Sequence, residues 1–493
     1  MLSHAEVNAR FVALDSHPAL LSTTFEGWLA WPIVKERLWL LCLEPSGDSS
    51  RSRVQADDAV RRIASGIRQV ASHLTRPVAA DLGLFYEPRS VEMPDGRLIH
   101  PHLGDIAAIE RVRPLLRFHY VWGQRAAHRR RHGTLDDLGV GAVVAAAAKA
   151  VRAMPSLAKV AGRLVEAVEG SFPEVARRQL YSAAADQLAR FRVRFWFLRR
   201  LFEASKVRSV VVLDWDGKVA EVAAGKAVGA RVTEVQHGMF STDEPDYSWT
   251  AAHRDVANFM PIPDRVVVFG PFWARQLAVA GYWRPGEIVE AINPVLGPYR
   301  QERADTYQRR PDRPLIVLFP TQPYVREAAL KLFGTALEAQ ASGCGYSRKP
   351  QFRLRVKVHP LERQHTEAYA ALARLHPDTC EIVGNERDAF AEMLKVDVVA
   401  GYTSLMLLEA VALGIPVLSL RGGSAPEGFC DTFGTGEIRD ALLDCDDAPS
   451  LLAHLVRLDD VETYTRMSRS VREHASLVYT FDGATVEEII ADA

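Results

Sequence analysis

Residues 351 to 420 hold the densest set of groups able to bind a phosphorylated ligand. Arg353, Arg355, Lys357 and His359 alternate with Leu354, Val356 and Val358. In a strand the basic side chains therefore share one face and the apolar ones the other. The basic face must meet solvent or an anion. Pro360 ends the strand and fixes the turn, which presents His359 at the carboxyl end, where Lys357 and His359 can both reach phosphate. Taken alone, an edge strand with a turn histidine explains the pattern as well.

A second strand, Val396 to Gly401, runs into Tyr402-Thr403-Ser404 and the apolar stretch Leu405 to Leu413. Hydroxyl side chains then meet the free N–H groups of a helix start, a point that stabilises phosphate. Simple capping by Thr403 or Ser404 needs no ligand. Glu409, an acid inside the apolar stretch, suits a ribose hydroxyl or a helix-surface position.

Two further strand ends carry polar groups. Leu213-Asp214-Trp215-Asp216-Gly217 follows the apolar run Ser209 to Leu213, so Asp214 or Asp216 can deprotonate a hydroxyl or attack an anomeric carbon. An Asx turn capping the next helix is the competing reading. Asp214-Trp215-Asp216 also spells a metal clamp, but its place directly after a strand favours a carboxylate catalyst, and no metal is expected. Gln236-His237-Gly238 ends the next strand, and His237 can hold a sugar carboxylate or a leaving phosphate.

Strands and helices alternate from about residue 205, with strands expected at 209–213, 231–235, 265–269, 314–320, 352–358, 380–383, 396–400 and 415–420. Alternation favours parallel sheets. The polar, proline-bracketed segment Gln301 to Pro314 divides them, giving three regions. Residues 1–204 are read as helical and part of an acceptor-side lobe, 205–305 as a Rossmann-like N-terminal lobe, and 306–493 as a Rossmann-like nucleotide-binding lobe. Within the first region, Trp28, Trp31, Leu38 and Leu41 read as core, as does the arginine- and aromatic-rich stretch Phe191 to Leu201. The fold class is α/β, GT-B-like, with two such lobes around a central cleft.

Composition excludes several classes. A hydrophobic share of 48%, a charged share of 25% and a net charge of -1 fit neither disorder nor a surface that coats nucleic acid. The five cysteines are scattered without a paired motif, which fits a reducing cytoplasm. No apolar run approaches the roughly 20 residues that span a bilayer. The cluster Arg125, His128, Arg129, Arg130, Arg131 and His132 reads foremost as a solvated surface.

Together, His359-Pro360, Tyr402-Thr403-Ser404 with Glu409, Gly414-Ile415-Pro416-Val417 and Gln236-His237-Gly238 resemble bacterial GT-B glycosyltransferases of surface polysaccharide synthesis, nearest to CMP-sugar users such as Kdo transferases and sialyltransferases. The resemblance covers roughly residues 205 to 425. It implies a metal-independent glycosyltransferase without a cofactor, acting on a nucleotide sugar and a glycan or lipid-linked glycan acceptor at the inner face of the cytoplasmic membrane. Carried over, Asp214 or Asp216 is the catalytic carboxylate, His359 meets the nucleotide, and Thr403 and Ser404 hold its phosphate. Asp214-Trp215-Asp216 departs from the acidic-acidic-Gly motif of polysialyltransferases, so the choice of carboxylate and the donor stay open. Rival readings are a CDP-glycerol or CDP-ribitol phosphotransferase, a UDP-sugar epimerase, and a non-catalytic glycan-binding assembly protein.

Overall fold

The computed structural model describes residues 4–43, 56–119, 134–213, 216–240, 247–322, 325–343, 351–384, 388–421 and 441–492. Short apolar runs rich in Val, Leu and Phe, buried on both faces, make two parallel sheets. The first contains β1 (Leu82–Tyr86), β2 (Leu115–His119), β3 (Thr134–Asp136), β4 (Ser209–Leu213), β5 (Arg231–Val235), β6 (Arg265–Val268) and β7 (Ile288–Glu290). Their spatial order is β7-β6-β5-β4-β1-β2-β3. The second contains β8 (Leu315–Pro320), β9 (Phe352–Lys357), β10 (Cys380–Val383), β11 (Val398–Gly401), β12 (Val417–Leu420) and β13 (Leu442–Cys445), in the order β10-β9-β8-β11-β12-β13. Both are doubly wound sheets whose order reverses beside their first strand, between β1 and β4 and between β8 and β11.

The expected lobe boundary at residues 204 and 205 is corrected by the first sheet, which takes β1, β2 and β3 from the segment read as helical. Leu82-Gly83-Leu84-Phe85-Tyr86 is buried throughout. Such a short, wholly apolar run has no period of two and cannot be told from a piece of buried helix by pattern. The rest of that region is helical. The long helix α1 (Arg177–Ser205) buries Phe191, Phe195, Leu198 and Leu201, and its Phe202 packs edge-on against Phe85 and Phe118 at 6.0 and 6.2 Å. Trp28, Trp31 and Leu38 are buried and Leu41 packs against them as expected. The basic cluster at residues 125 and 128–132 lies outside the described residues.

The expected linker is in part a helix. α2 (Leu296–Thr306) carries the chain from β7 towards β8, and Arg303 ties it to the second lobe by donating to the carbonyls of Met393, Leu394 and Val396 at 2.9 to 3.2 Å. After the late helices the chain returns to the first lobe: Thr480 N donates to Phe269 O and Ile292 N to Ala484 O. The terminal helix Val486–Ala491 is held by Arg113 on Ile490 O and Arg265 on Ile489 O, at 2.9 and 3.1 Å. The region 306–493 is therefore not one lobe, because its last turn docks beneath the other sheet. Gly270 permits the return. A Cβ there would stand 2.3 Å from Val478 O and 2.6 Å from Tyr479 Cα.

Candidate active site at the interlobe crevice

At the reversal points the connections leave in opposite directions, so a crevice opens at the carboxyl ends of the strands. In the second lobe, Thr321 and Gln322 follow β8 and Tyr402, Thr403 and Ser404 follow β11. The Gln322 amide bridges the gap. Its Oε1 accepts from Thr403 N and Thr403 Oγ1, each at 3.0 Å, and its Nε2 donates to Thr403 O. Thr321 ties β8 to β9, because its N–H donates to Lys357 O at 2.9 Å and its Oγ1 accepts from His359 N at 2.8 Å.

Ser404 caps α3 (Leu405–Ala412), its hydroxyl accepting from Met406 N at 3.3 Å. The imidazole of His359 is exposed at the strand end, and partial burial lowers its pKa. Pro360 opens the 3-10 turn Pro360–His365.

The expectation of an open basic face on β9 is corrected. Arg353 is exposed, but Arg355 is buried and paired with Glu381 and Glu392. Lys357 is also buried, its Nζ donating to Gly384 O at 2.8 Å. Alternation assigned these side chains to one face, and acids and a carbonyl from β10 and its neighbours cover that face. Tyr402 is corrected too. It is 1% exposed and its ring lies edge-on to Phe319 at 6.5 Å, which makes it core.

On the first lobe, Gln236 shapes the turn after β5. Its Oε1 accepts from Phe269 N at 2.9 Å and its Nε2 donates to Gly238 O at 3.0 Å, leaving His237 exposed. Asp214 and Trp215 lie outside the described residues. Asp216 opens the 3-10 turn Asp216–Lys218, which starts beside the reversal point after β4.

The sequence reading missed the chain after β1. The Glu87 carbonyl accepts from Arg89 N at 2.9 Å and contacts His100 Nε2 at 3.0 Å. His100 Nδ1 in turn accepts from the N–H groups of His102 and Leu103 at 3.2 and 3.1 Å, which fixes its tautomer with the proton on Nε2. His102 lies 6.4 Å from His237 and stacks on Phe269 at 6.2 Å, ring centre to ring centre. The available signal was Tyr86-Glu87-Pro88-Arg89, polar residues at the end of an apolar run, like those at residues 214 and 236.

His102, Gln236, His237, Gly238, Phe269 and Asn293 line a crevice from the first lobe, Leu405 closes it from the second, and Tyr479 borders it from the returning segment. Burial lowers the pKa of His100 to about 4 and that of His102 well below the ordinary value, so both rings are neutral at pH 7. Glu409, on α3, is 9% exposed. Burial pushes its carboxyl up to about 7, with Arg89 opposing and Asp388 adding to the rise. Among the described residues no group of three or more His, Cys, Asp or Glu side chains is placed to hold a metal ion, and no single helix is long and apolar enough to cross a membrane.

No protein-family model matches the chain, and no curated protein does. Among solved structures, the chain is similar to Anabaena HepE in complex with UDP, at 12% identity over 84% of this chain and 97% of that one, with a TM-score of 0.43. It is similar to the lipopolysaccharide outer core galactosyltransferase WaaB at 11% identity, over 83% and 98%, with a TM-score of 0.39. For the wall teichoic acid polymerase TagF the values are 10% identity, 89% and 97%, and 0.44. None of the three reaches a TM-score of 0.5, so function is read from the crevice itself.

Proposed function

We propose that the protein is a GT-B-type glycosyltransferase that moves an acidic sugar, Kdo- or sialic-acid-like, from a CMP-activated donor to a hydroxyl of a surface polysaccharide or glycolipid at the inner face of the cytoplasmic membrane. One observation carries the reading: the carboxyl ends of two doubly wound sheets meet at one crevice, with histidines on one wall and a helix start on the other. A nucleotide lies against the second lobe in this reading. Its phosphate meets the first turn of α3 and the hydroxyls of Thr403 and Ser404, and His359 borders it. Developing negative charge on the leaving phosphate is stabilised by that helix start. Glu409 faces the ribose.

The sugar then projects towards His237 and the carboxyl end of β4. Acting as general base, Asp214 or Asp216 takes the acceptor hydroxyl proton while that oxygen bonds to the anomeric carbon and CMP departs, inverting the centre. Acting as nucleophile, it first forms a glycosyl ester that the acceptor opens, retaining it.

Thermal unfolding against CMP, CDP, UDP, GDP and ADP tests the nucleotide assignment. A ligand present at 100 times its Kd adds about 2.7 kcal/mol to the folded state. CMP is expected to raise the unfolding temperature selectively, and His359→Ala to abolish the rise. Preference for UDP or GDP would overturn the donor, and silence from every nucleotide would favour a non-catalytic glycan-binding protein.

A further inference from the structure

We propose that the groove between α2 and the returning segment binds an anionic sugar unit through Arg300 and Arg472. In the glycosyl-transfer reading above, on which this role rests, that unit belongs to the glycan acceptor. The groove is a hollow of about 680 Å³, within the range of about 300–1,000 Å³ that holds small ligands. Its walls come from α2, helix Val461–Val478 and residues 479–482. Glu290, at the end of β7, and Pro271, at the start of helix Pro271–Ala280, also line it. It therefore lies at the carboxyl edge of the first sheet, the edge at which open α/β sheets bind ligands. Tyr479 lines both the groove and the crevice, so a single side chain separates them.

Contacts fix both guanidinium groups. Arg300 lies over the Phe481 ring, 4.2 Å from its centre, and its Nη2 donates to the Arg472 carbonyl at 3.3 Å. Arg472 lies against Gly414, where a Cβ would stand 3.0 Å from its Nε. That Nε is buried and has no hydrogen-bond partner among the described residues. Among those residues neither arginine has an acidic partner, although Glu290 and Asp482 line the same groove. Glu290 accepts instead from Thr480 Oγ1 at 2.9 Å. Two like charges in one hollow without a counter-ion from the chain suit an anion from outside, which a planar guanidinium takes by parallel hydrogen bonds. The two acids repel a free polyanion and accept from hydroxyl groups. Together the four side chains select a sugar that carries one carboxylate or phosphate.

Calorimetric titration of the full chain, without nucleotide, tests the site with an N-acetylneuraminate trimer, with N-acetylglucosamine phosphate and with neutral chitotriose. At least one of the two anionic sugars is expected to bind, and chitotriose is not. Binding of the trimer alone assigns a carboxylate, and binding of the sugar phosphate alone assigns the phosphate of a lipid linker. Arg472→Gln should weaken the binding roughly 10- to 100-fold, the range of a hydrogen bond to a charged group, and Arg472→Lys should keep part of it. Ala304→Trp, at an exposed position of α2 on the groove wall, should block binding by bulk with both arginines in place. Urea midpoints equal to that of wild type show that the variants fold, and should Arg472→Gln unfold, Ala304→Trp decides. The proposal is overturned if wild type binds neither anionic sugar, if chitotriose binds as tightly, or if binding survives undiminished in either folded variant. CMP is titrated separately. An Arg472-dependent sugar signal without CMP binding keeps the site and removes the transferase reading, and CMP binding without a sugar signal does the reverse.

Discussion

Gln322 shows how much of the site depends on one amide. Its three bonds to Thr403 join the two strand ends between which the phosphate is proposed to sit. Gln322→Ala leaves the Thr403 N–H and hydroxyl without that partner, at a cost of about 1–3 kcal/mol. It should lower the urea midpoint and weaken CMP, whereas Gln322→Glu keeps the acceptor and should recover part of the stability. An unchanged midpoint in Gln322→Ala would refute a structural bridge. Glu409 gives a pH signature. A carboxyl raised from its ordinary 4.5 to about 7 by burial contributes fully below 4.5, and that contribution is lost as pH rises through about 7. Between pH 4.5 and 7.5, wild type should lose about 3 kcal/mol relative to Glu409→Gln, at about 1.4 kcal/mol per pH unit; parallel urea-unfolding curves across that range would refute it. The sequence made the strand-to-helix junction at residues 401–405 legible because a strand, hydroxyls and an apolar helix follow one another. It misjudged Lys357 and Tyr402 because alternation reports a face and not what covers it.

At the scale of elements, the amino-terminal region is held by a buried ion pair that the aromatic pattern did not disclose. Lys35 donates to Asp15 at 2.8 Å with both side chains 0% exposed. Trp31 donates to the same carboxylate at 2.7 Å, and the Lys35 ammonium lies 4.0 Å from the centre of the Trp249 ring. The pair fastens helix Ala30–Leu43 both to residue 15 and to the segment after β5. Removing one partner strands a buried charge, which costs about 3–5 kcal/mol. Lys35→Met should therefore destabilise strongly, while Lys35→Met with Asp15→Leu should recover much of the loss in denaturant titrations; additive losses would exclude coupling. The helix around Phe191 to Leu201 and the strands β4, β5, β6, β8 and β9 were legible, because each strand sits in a run that alternates with helical stretches. β1, β2, β3 and β7 were not, the first two lying in a segment whose other elements are mostly helical and the last two being only three residues long.

For the whole molecule, sequence order and physical lobes part company at the end of the chain. Division of the chain at the linker puts residues 479–492 with the second sheet, yet their hydrogen bonds and buried side chains belong to the first. Val486 and Ile490 are 0% exposed, and the carbonyls of Ile489 and Ile490 accept from Arg265 and Arg113 beneath β6 and β2. The lobes are thus joined twice, by α2 outward and by the segment around Tyr479 on return, and the second junction borders the crevice. Movement of one lobe against the other must bend both. Ile490→Asp in the full chain puts an unpaired charge into the contact beneath the first sheet, a change that costs several kcal/mol. Hydrogen exchange should then accelerate in β1 to β7 while β8 to β13 keep their protection, since α2 and the core of the second lobe are untouched. Faster exchange confined to β8–β13 would assign the terminal helix to the second lobe and remove the second junction. Loss of protection in both sheets together would mean that the two lobes unfold as one cooperative unit, in which case the crevice cannot open by lobe motion without global cost.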